Sequence, residues 1–271
     1  MPRKRRGTMA AIAGAGGLLG LMLLAAAVPW LPLDSPYVTD LDARLATPSA
    51  AAVLGHDALG RDVLARMAYG ARISLGVGVC TVVASLTLGI ALGALAGYLG
   101  GWTDEIVARV IDVLLAFPGI LLAVALAAVL GPTLPNVVLA LSALGWTGYA
   151  RLTRTQVMSL RQRDFVVAAR ALGVGPVRIV TRHLLPLAAP LLLVQATFGL
   201  SGAILAEATL SFLGLGVPPP LPSWGAMLDE GRVFMLVAPH LVVAPGLALA
   251  VTVLALQLLG DGLRDLLDVP S

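Results

Sequence analysis

The chain has 271 residues, 58% of them hydrophobic and only 12% charged, with a mean hydropathy of +0.93. Such values exclude an ordinary soluble domain, in which about a quarter of residues are charged. The formal charge of +3 comes without the aromatic-interleaved basic patch that would point to nucleic acid.

A helix needs roughly 20 apolar residues to cross ~30 Å of hydrocarbon. Such runs are marked at 9–32, 73–98, 108–130, 134–158, 187–213 and 237–259, so the expected fold class is an all-α membrane protein with six transmembrane helices. The first run follows Arg3-Lys4-Arg5-Arg6, as the core of a signal peptide does. It is long for one, and Pro29-Trp30 reads as an interfacial exit rather than a cleavage site, so a retained helix is expected. Cys80 is the single cysteine and lies inside a span, which excludes a disulfide framework within the chain.

Basic residues accumulate on the cytoplasmic side of a membrane. Four of them open the chain, and Arg151, Arg154, Arg161, Arg163, Arg170, Arg178 and Arg182 crowd the stretch around the fourth-to-fifth span connection, whereas 214–236 carries only Arg232. Both termini and that connection are therefore expected inside and the segment 33–72 outside. Arg44, Arg61, Arg66 and Arg72 run against the rule in that segment, accompanied by Asp34, Asp40, Asp42, Asp57 and Asp62.

In chain order, the outer segment ends in Leu54-Gly-His-Asp-Ala-Leu-Gly-Arg-Asp62. From Leu59 onward, Leu59, Val63 and Met67 alternate with Arg61, Asp62 and Arg66 in a pattern that predicts a short amphipathic surface helix. In the second span Ser85, Gly89, Gly93 and Gly97 recur every four residues, a small-residue stripe that lets another helix approach closely. Asp112 enters the third span near its inner end, within reach of the arginine cluster. Phe117-Pro118-Gly119 is expected to kink that span, because proline lacks the amide donor and crowds the preceding turn.

Trp146 and Tyr149 lie deeper than an aromatic belt would, either along a path or filling the core. Glu207, an ionisable group at membrane depth, is expected to face a cavity or a partner. These three are the candidates for a translocation path. The Val217-Pro-Pro-Pro-Leu-Pro222 run predicts a stiff extended loop, with Trp224 as an interfacial anchor.

The stretch 164–186 is a polar island between two long apolar runs. Asp164 is expected to cap a short helix, with Phe165, Ala169 and Leu172 on one face and Gly173 ending it in the left-handed conformation. A helix of that kind, hung outside the membrane, is a handle for another protein.

Absences narrow the chemistry. Lys4 is the only lysine, so the Gly-x-x-x-x-Gly-Lys-Ser/Thr phosphate cradle is missing and any ATP must be bound elsewhere. His56, His183 and His240 fall on different sides or depths and assemble no metal site. One enzymatic alternative is weighed: Gly199-Leu-Ser201-Gly202 resembles the Gly-x-Ser-Gly of rhomboid intramembrane serine proteases, with His240 as the base. Against it, Ser201 lies deep in its span and His240 near the outer end.

The stretch 167–186 resembles the EAA loop of permease subunits in ATP-binding-cassette importers, with Ala168, Ala169, Gly173, Leu185 and Pro186 in the matching positions. Further pieces are similar to the dipeptide, oligopeptide and nickel branch, specifically its C-type subunit. They are Leu54–Asp62, Tyr69-Gly-Ala-Arg-Ile-Ser-Leu75, Gly100-Gly-Trp-Thr-Asp-Glu105, Asp112-Val-Leu-Leu-Ala-Phe-Pro-Gly119, Ser211-Phe-Leu-Gly-Leu-Gly216, Pro222-Ser-Trp-Gly225 and Leu259-Gly-Asp-Gly-Leu-Arg-Asp265, together spanning about 54–268.

The resemblance implies a type I ABC importer permease fold, with a leading segment 1–71 and a five-helix core 72–271. It implies a non-enzymatic half-transporter in a bacterial or archaeal cell membrane that moves dipeptides or oligopeptides, or in other members nickel or another small solute. Its implied partners are a B-type permease subunit, two ATPase subunits that bind ATP and Mg, and an extracytoplasmic binding protein. Asp164, Ala168, Ala169, Arg170, Gly173, Leu185 and Pro186 would then form the coupling contact with an ATPase. Val167 stands where the motif has glutamate, so docking would lean on shape and Arg170. At 183, histidine replaces the isoleucine of the general pattern.

Overall fold

The computed structural model describes residues 2–30, 35–50 and 52–267. Asp34 lies outside that range, and nothing is described of the side chains of Arg3-Lys4-Arg5-Arg6 or Pro29. The described residues form ten α-helices: α1 (Pro2–Ala27), α2 (Val63–Leu99), α3 (Gly101–Leu115), α4 (Gly119–Leu130), α5 (Leu134–Leu160), α6 (Asp164–Ala171), α7 (Pro176–Ile179), α8 (Leu185–Phe212), α9 (Trp224–Arg232) and α10 (His240–Leu266). A π-turn at Val180–Leu184 joins α7 to α8 without a break.

A helix stands in each of the six apolar segments. Among the described residues, Val63–Leu99, Pro176–Phe212 and His240–Leu266 are long and apolar enough to cross a membrane, and α3 with α4 make a fourth if the bent pair is one span. The expected kink is a sharp one. α3 and α4 meet at 86°, with the break at 116–118, where Pro118 has no amide to continue the ladder.

The ends of α2 explain its length and correct one expectation. Asp62 is the N-cap and accepts from the Ala65 amide at 2.6 Å, so no separate surface helix begins at Leu59. Residues 57–62 are instead a loop, turned at Gly60 (φ +71°), and Arg66 points inward with 2% exposure rather than lying on a polar face. Gly100, also at φ +71°, ends α2.

The small-residue stripe packs along α5. A side chain at Gly89 would run into Tyr149 and the Trp146 carbonyl, one at Gly93 into Ala150, and one at Gly97 into Arg154 and Val157. Close backbone approach gives this pair of helices its contact, since hydrocarbon around the bundle supplies no hydrophobic drive. α1 lies along α10, and α8 runs through the centre against α2, α5 and α10.

The run before α9 turns at 219–220 rather than staying extended. Trp224 is not an interfacial anchor. It is 2% exposed in a core with Leu75, Ile204 and Leu256, its indole N–H donates to the Met67 carbonyl at 3.1 Å, and its amide donates to Ser74 Oγ at 3.2 Å.

Candidate functional site

A cavity of about 420 Å³ opens where α2, the α3–α4 bend, α5 and α8 meet. Thr81 and Ser85 come from α2, Phe117 and Ile120 from the bend, Tyr149 from α5 and Gln195 from α8. Its walls are otherwise mostly apolar side chains and glycines. Tyr149 is thus in the wall, with 5% exposure.

The other two path candidates lie elsewhere. Trp146 fills a core with Val107, Ile111 and Ala150, its indole N–H donating to the Ala143 carbonyl at 3.0 Å. Glu207 is fully buried beside Trp224's neighbours and accepts from Ser211 Oγ at 2.7 Å. Gln195 was not singled out from the sequence, and Gly199 and Gly202 of α8, noted there only in the protease-like motif, line the cavity. The spacing Gln195, Gly199, Gly202, Ala206 on one helix face was the available signal.

The 164–186 stretch folds into α6, a turn and the lead-in to α8. Arg163, not Asp164, is the N-cap, and Asp164 occupies the first helical position without a side-chain cap bond, where its charge still suits the helix N-terminus. Gly173 has φ +76° and ends the helix as expected. Phe165, Ala169 and Leu172 do not share one environment as their spacing suggests: Ala169 packs inward with Val166 against Ala94, Val157, Ile179 and Leu184, while Phe165 and Leu172 are exposed.

Ala168, Arg170, Gly173 and Pro186 are exposed, and Leu185 is half-buried. The Arg170 guanidinium lies 5.0 Å from the Tyr98 ring centre. Arg161 Nη1 donates to the carbonyls of Gly97 and Tyr98 at 3.0 and 3.1 Å, closing the end of α2. Two ion pairs bind α3 to α5 nearby: Arg154 grips Asp104 with two donors, one at 2.7 Å, and Arg151 reaches Asp112 at 3.2 Å. Asp112 therefore pairs with the arginine cluster, although both partners are more than half exposed and the pair is worth little stability.

At the opposite end of α2, two of the arginines that ran against the basic-residue rule, Arg61 and Arg66, meet Asp57 and Glu230. Arg61 Nε donates to Asp57 Oδ2 at 2.6 Å and its Nη2 to Glu230 Oε2 at 2.8 Å. Arg66 grips Glu230 with both Nη atoms, at 2.6 and 3.1 Å, and also donates to Asp57. The network ties the 55–62 loop and α2 to α9. Burial pushes the Asp57 carboxyl up, but the amides of Arg61 and Leu59 and the guanidiniums of Arg66 and Arg61 outweigh it and hold the group below the usual carboxylate range.

A carboxyl lowered on folding contributes stability that is present above its unfolded value, about 3.9, and lost as pH falls through the folded one. Hydrogen exchange of the 55–62 amides should accordingly be protected to the same degree from pH 7 to about pH 4.5 once corrected for intrinsic rates, and lose protection only in stronger acid. Loss of protection already between pH 7 and 5 would contradict this account of Asp57.

The protease pairing is not formed. Ser201 Oγ donates to the Phe198 carbonyl at 2.8 Å and accepts from Gln257 at 3.3 Å, whereas the His240 ring contacts the His56 carbonyl. Gln257 is 17 residues beyond His240 on α10, roughly 25 Å as helix. No group of three His, Cys, Asp or Glu side chains suited to a metal ion occurs among the described residues.

A cavity at a helix bend and an exposed short helix between two long apolar helices suit a membrane permease, and comparison with known proteins identifies the class. Residues 89–269 match the family of binding-protein-dependent transport system inner membrane components. The chain is 44% identical over 261 residues to the glutathione transport system permease protein GsiD of Pectobacterium atrosepticum, covering 95% of this chain and 86% of that one. It is 43% identical over 258 residues to the dipeptide transport system permease protein DppC of Alkalihalophilus pseudofirmus, covering 95% and 85%.

The chain belongs to this family of inner-membrane permease subunits of ABC importers. Its fold is similar to a solved chain of the MetNI methionine ABC transporter in inward-facing conformations. The TM-score is 0.58 over 74% of this chain and 95% of that one, at 20% identity, which places the architecture in the type I importer permease class.

Proposed function

We propose that this chain forms one half of the membrane path of an ATP-driven importer that brings dipeptides, glutathione or related short peptides into the cytoplasm. The observation that carries the coupling half of this reading is α6. Phe165 and Val167 on α6 and Leu172 at its C-cap stand 41%, 56% and 84% exposed, outside the long apolar segments, and exposed apolar side chains gathered on so short an element suit a protein contact. Partner ATPase subunits, holding ATP and Mg, would seat on it beside Arg170 and Gly173, with Leu185 and Pro186 passing the movement into α8. A B-type permease subunit would close the cavity, and an extracytoplasmic binding protein would deliver solute. Both termini and α6 then lie on the cytoplasmic side, in agreement with the distribution of basic residues, and the charge network lies outside.

The peptide half of the reading rests on the relatives named for glutathione and dipeptide transport. Proteoliposomes carrying this chain with its partner permease, ATPases and binding protein should accumulate radiolabelled dialanine or glutathione on addition of ATP, and should stop when the ATPase subunits are omitted. Accumulation of nickel with neither peptide would overturn the peptide assignment. Uptake of either peptide without the ATPases would overturn the coupling.

A further inference from the structure

Three hydroxyl groups in the walls of the cavity are buried without any hydrogen-bond partner: Thr81 Oγ1, Ser85 Oγ and Tyr149 Oη. Their residues are 4%, 2% and 5% exposed. Buried polar atoms are normally paired, and each orphan has a desolvation cost, so three of them around one cavity require a reason.

Glycine backbone packs directly against two of them, so in this conformation they are covered. A side chain on Gly145 would run into Ser85 Oγ, and one on Gly199 would run into Tyr149 Oη. Thr81 and Ser85 are four residues apart on α2, hence one above the other by roughly 6 Å along the helix. Gln195, on the adjoining α8 wall, adds an amide with both donor and acceptor capacity. Among the described residues, no charged or histidine side chain lines the cavity.

We propose that Thr81, Ser85, Tyr149 and Gln195 form an uncharged hydrogen-bonding ladder that receives the backbone amide groups of a short peptide in transit. The inference rests on the peptide-import reading above. Neutral rungs in an apolar wall offer partners to any peptide N–H or C=O, and they supply neither a counter-charge for a particular side chain nor the His, Cys or carboxylate ligands that suit a transition-metal ion. Solute is then selected by its amide, with indifference to side-chain charge. The hydroxyls lack partners in the empty conformation and gain them when the α3–α4 bend and the facing subunit move and solute enters.

The test uses the complete reconstituted transporter and two probes at saturating concentration, dialanine and its ester analogue alanyl-lactate, in which oxygen replaces the peptide N–H. The wild type should carry dialanine faster. Tyr149→Phe and Ser85→Ala should each lower the dialanine rate about threefold to tenfold, the size of effect one lost hydrogen bond gives, with a smaller change for the ester. A merely structural role would lower both probes equally, and that result overturns the ladder, as does an unchanged dialanine rate in the combined Thr81→Val, Ser85→Ala, Tyr149→Phe variant.

Gly202 provides an independent arm. It lines the cavity, and a Cβ there meets nothing within 4 Å, so Gly202→Leu should fill the space without disturbing the helices and stop both probes. Continued transport of either would show that solute passes elsewhere. Failure of the wild type to carry any peptide would sink the peptide reading itself, a result distinct from a variant failure.

Discussion

Arg66→Met is expected to lower the stability of the detergent-solubilised chain by about 3 kcal/mol, the lower end of the cost of breaking a buried ion pair by removing one partner. The methionine fills much of the same volume, so the effect isolates the charge. Asp57 and Glu230 would keep only Arg61, and Asp57, with its side chain 8% exposed, would remain under-compensated away from water. Arg66→Lys should fall between the two, because an ammonium restores charge without the two-pronged grip on Glu230. Thermal unfolding followed by a buried-tryptophan signal reads the result directly, since Trp224 begins the helix that Glu230 anchors. A melting temperature for Arg66→Met equal to the wild type would show that the network is not what holds α9 to α2. Arg232→Met provides the contrast: its pair with Asp229 is 59% exposed on the arginine side, and exposed pairs contribute at most about 1 kcal/mol.

The same network marks where sequence reading stops. The small-residue stripe on α2 was legible because its period is local, and Gly173 was legible because a left-handed residue after a short helix leaves few alternatives. Arg61 and Arg66 looked like violations of the basic-residue rule because their partner Glu230 is 164 positions from Arg66 and no local pattern links them. Trp224 failed for the same reason: an aromatic near a span end reads as interfacial until Ser74 and Met67 of α2 are seen to hold it. On α5, Trp146 and Tyr149 are three residues apart with the same expected depth, and only the positions of α3 and α8 send the first into a core and the second into the cavity wall.

The outward face of α6 carries the second large effect. Leu172→Asp should abolish co-purification of the ATPase subunits with a tagged copy of this chain and reduce transport at least tenfold. Burying a leucine at a subunit contact and then replacing it with a charge costs about 2 kcal/mol or more, some thirtyfold in affinity. Because Leu172 is 84% exposed, the substitution has no internal packing to lose, and the melting temperature of the chain alone should stay within a degree or two of the wild type. Ala169→Asp is the opposing control: Ala169 faces Ala94, Val157 and Ile179, so a carboxylate there should destabilise the chain itself. If Leu172→Asp leaves ATPase retention and transport intact, α6 is not the coupling element. With valine at 167 where related loops carry glutamate, this surface has Arg170 as its one charged side chain between Phe165 and Leu172, and Arg170 is already stacked on Tyr98. On the coupling role proposed for α6, apolar fit would be the main grip, and ATPase retention should persist at 0.5 M salt, where exposed ion pairs are largely screened.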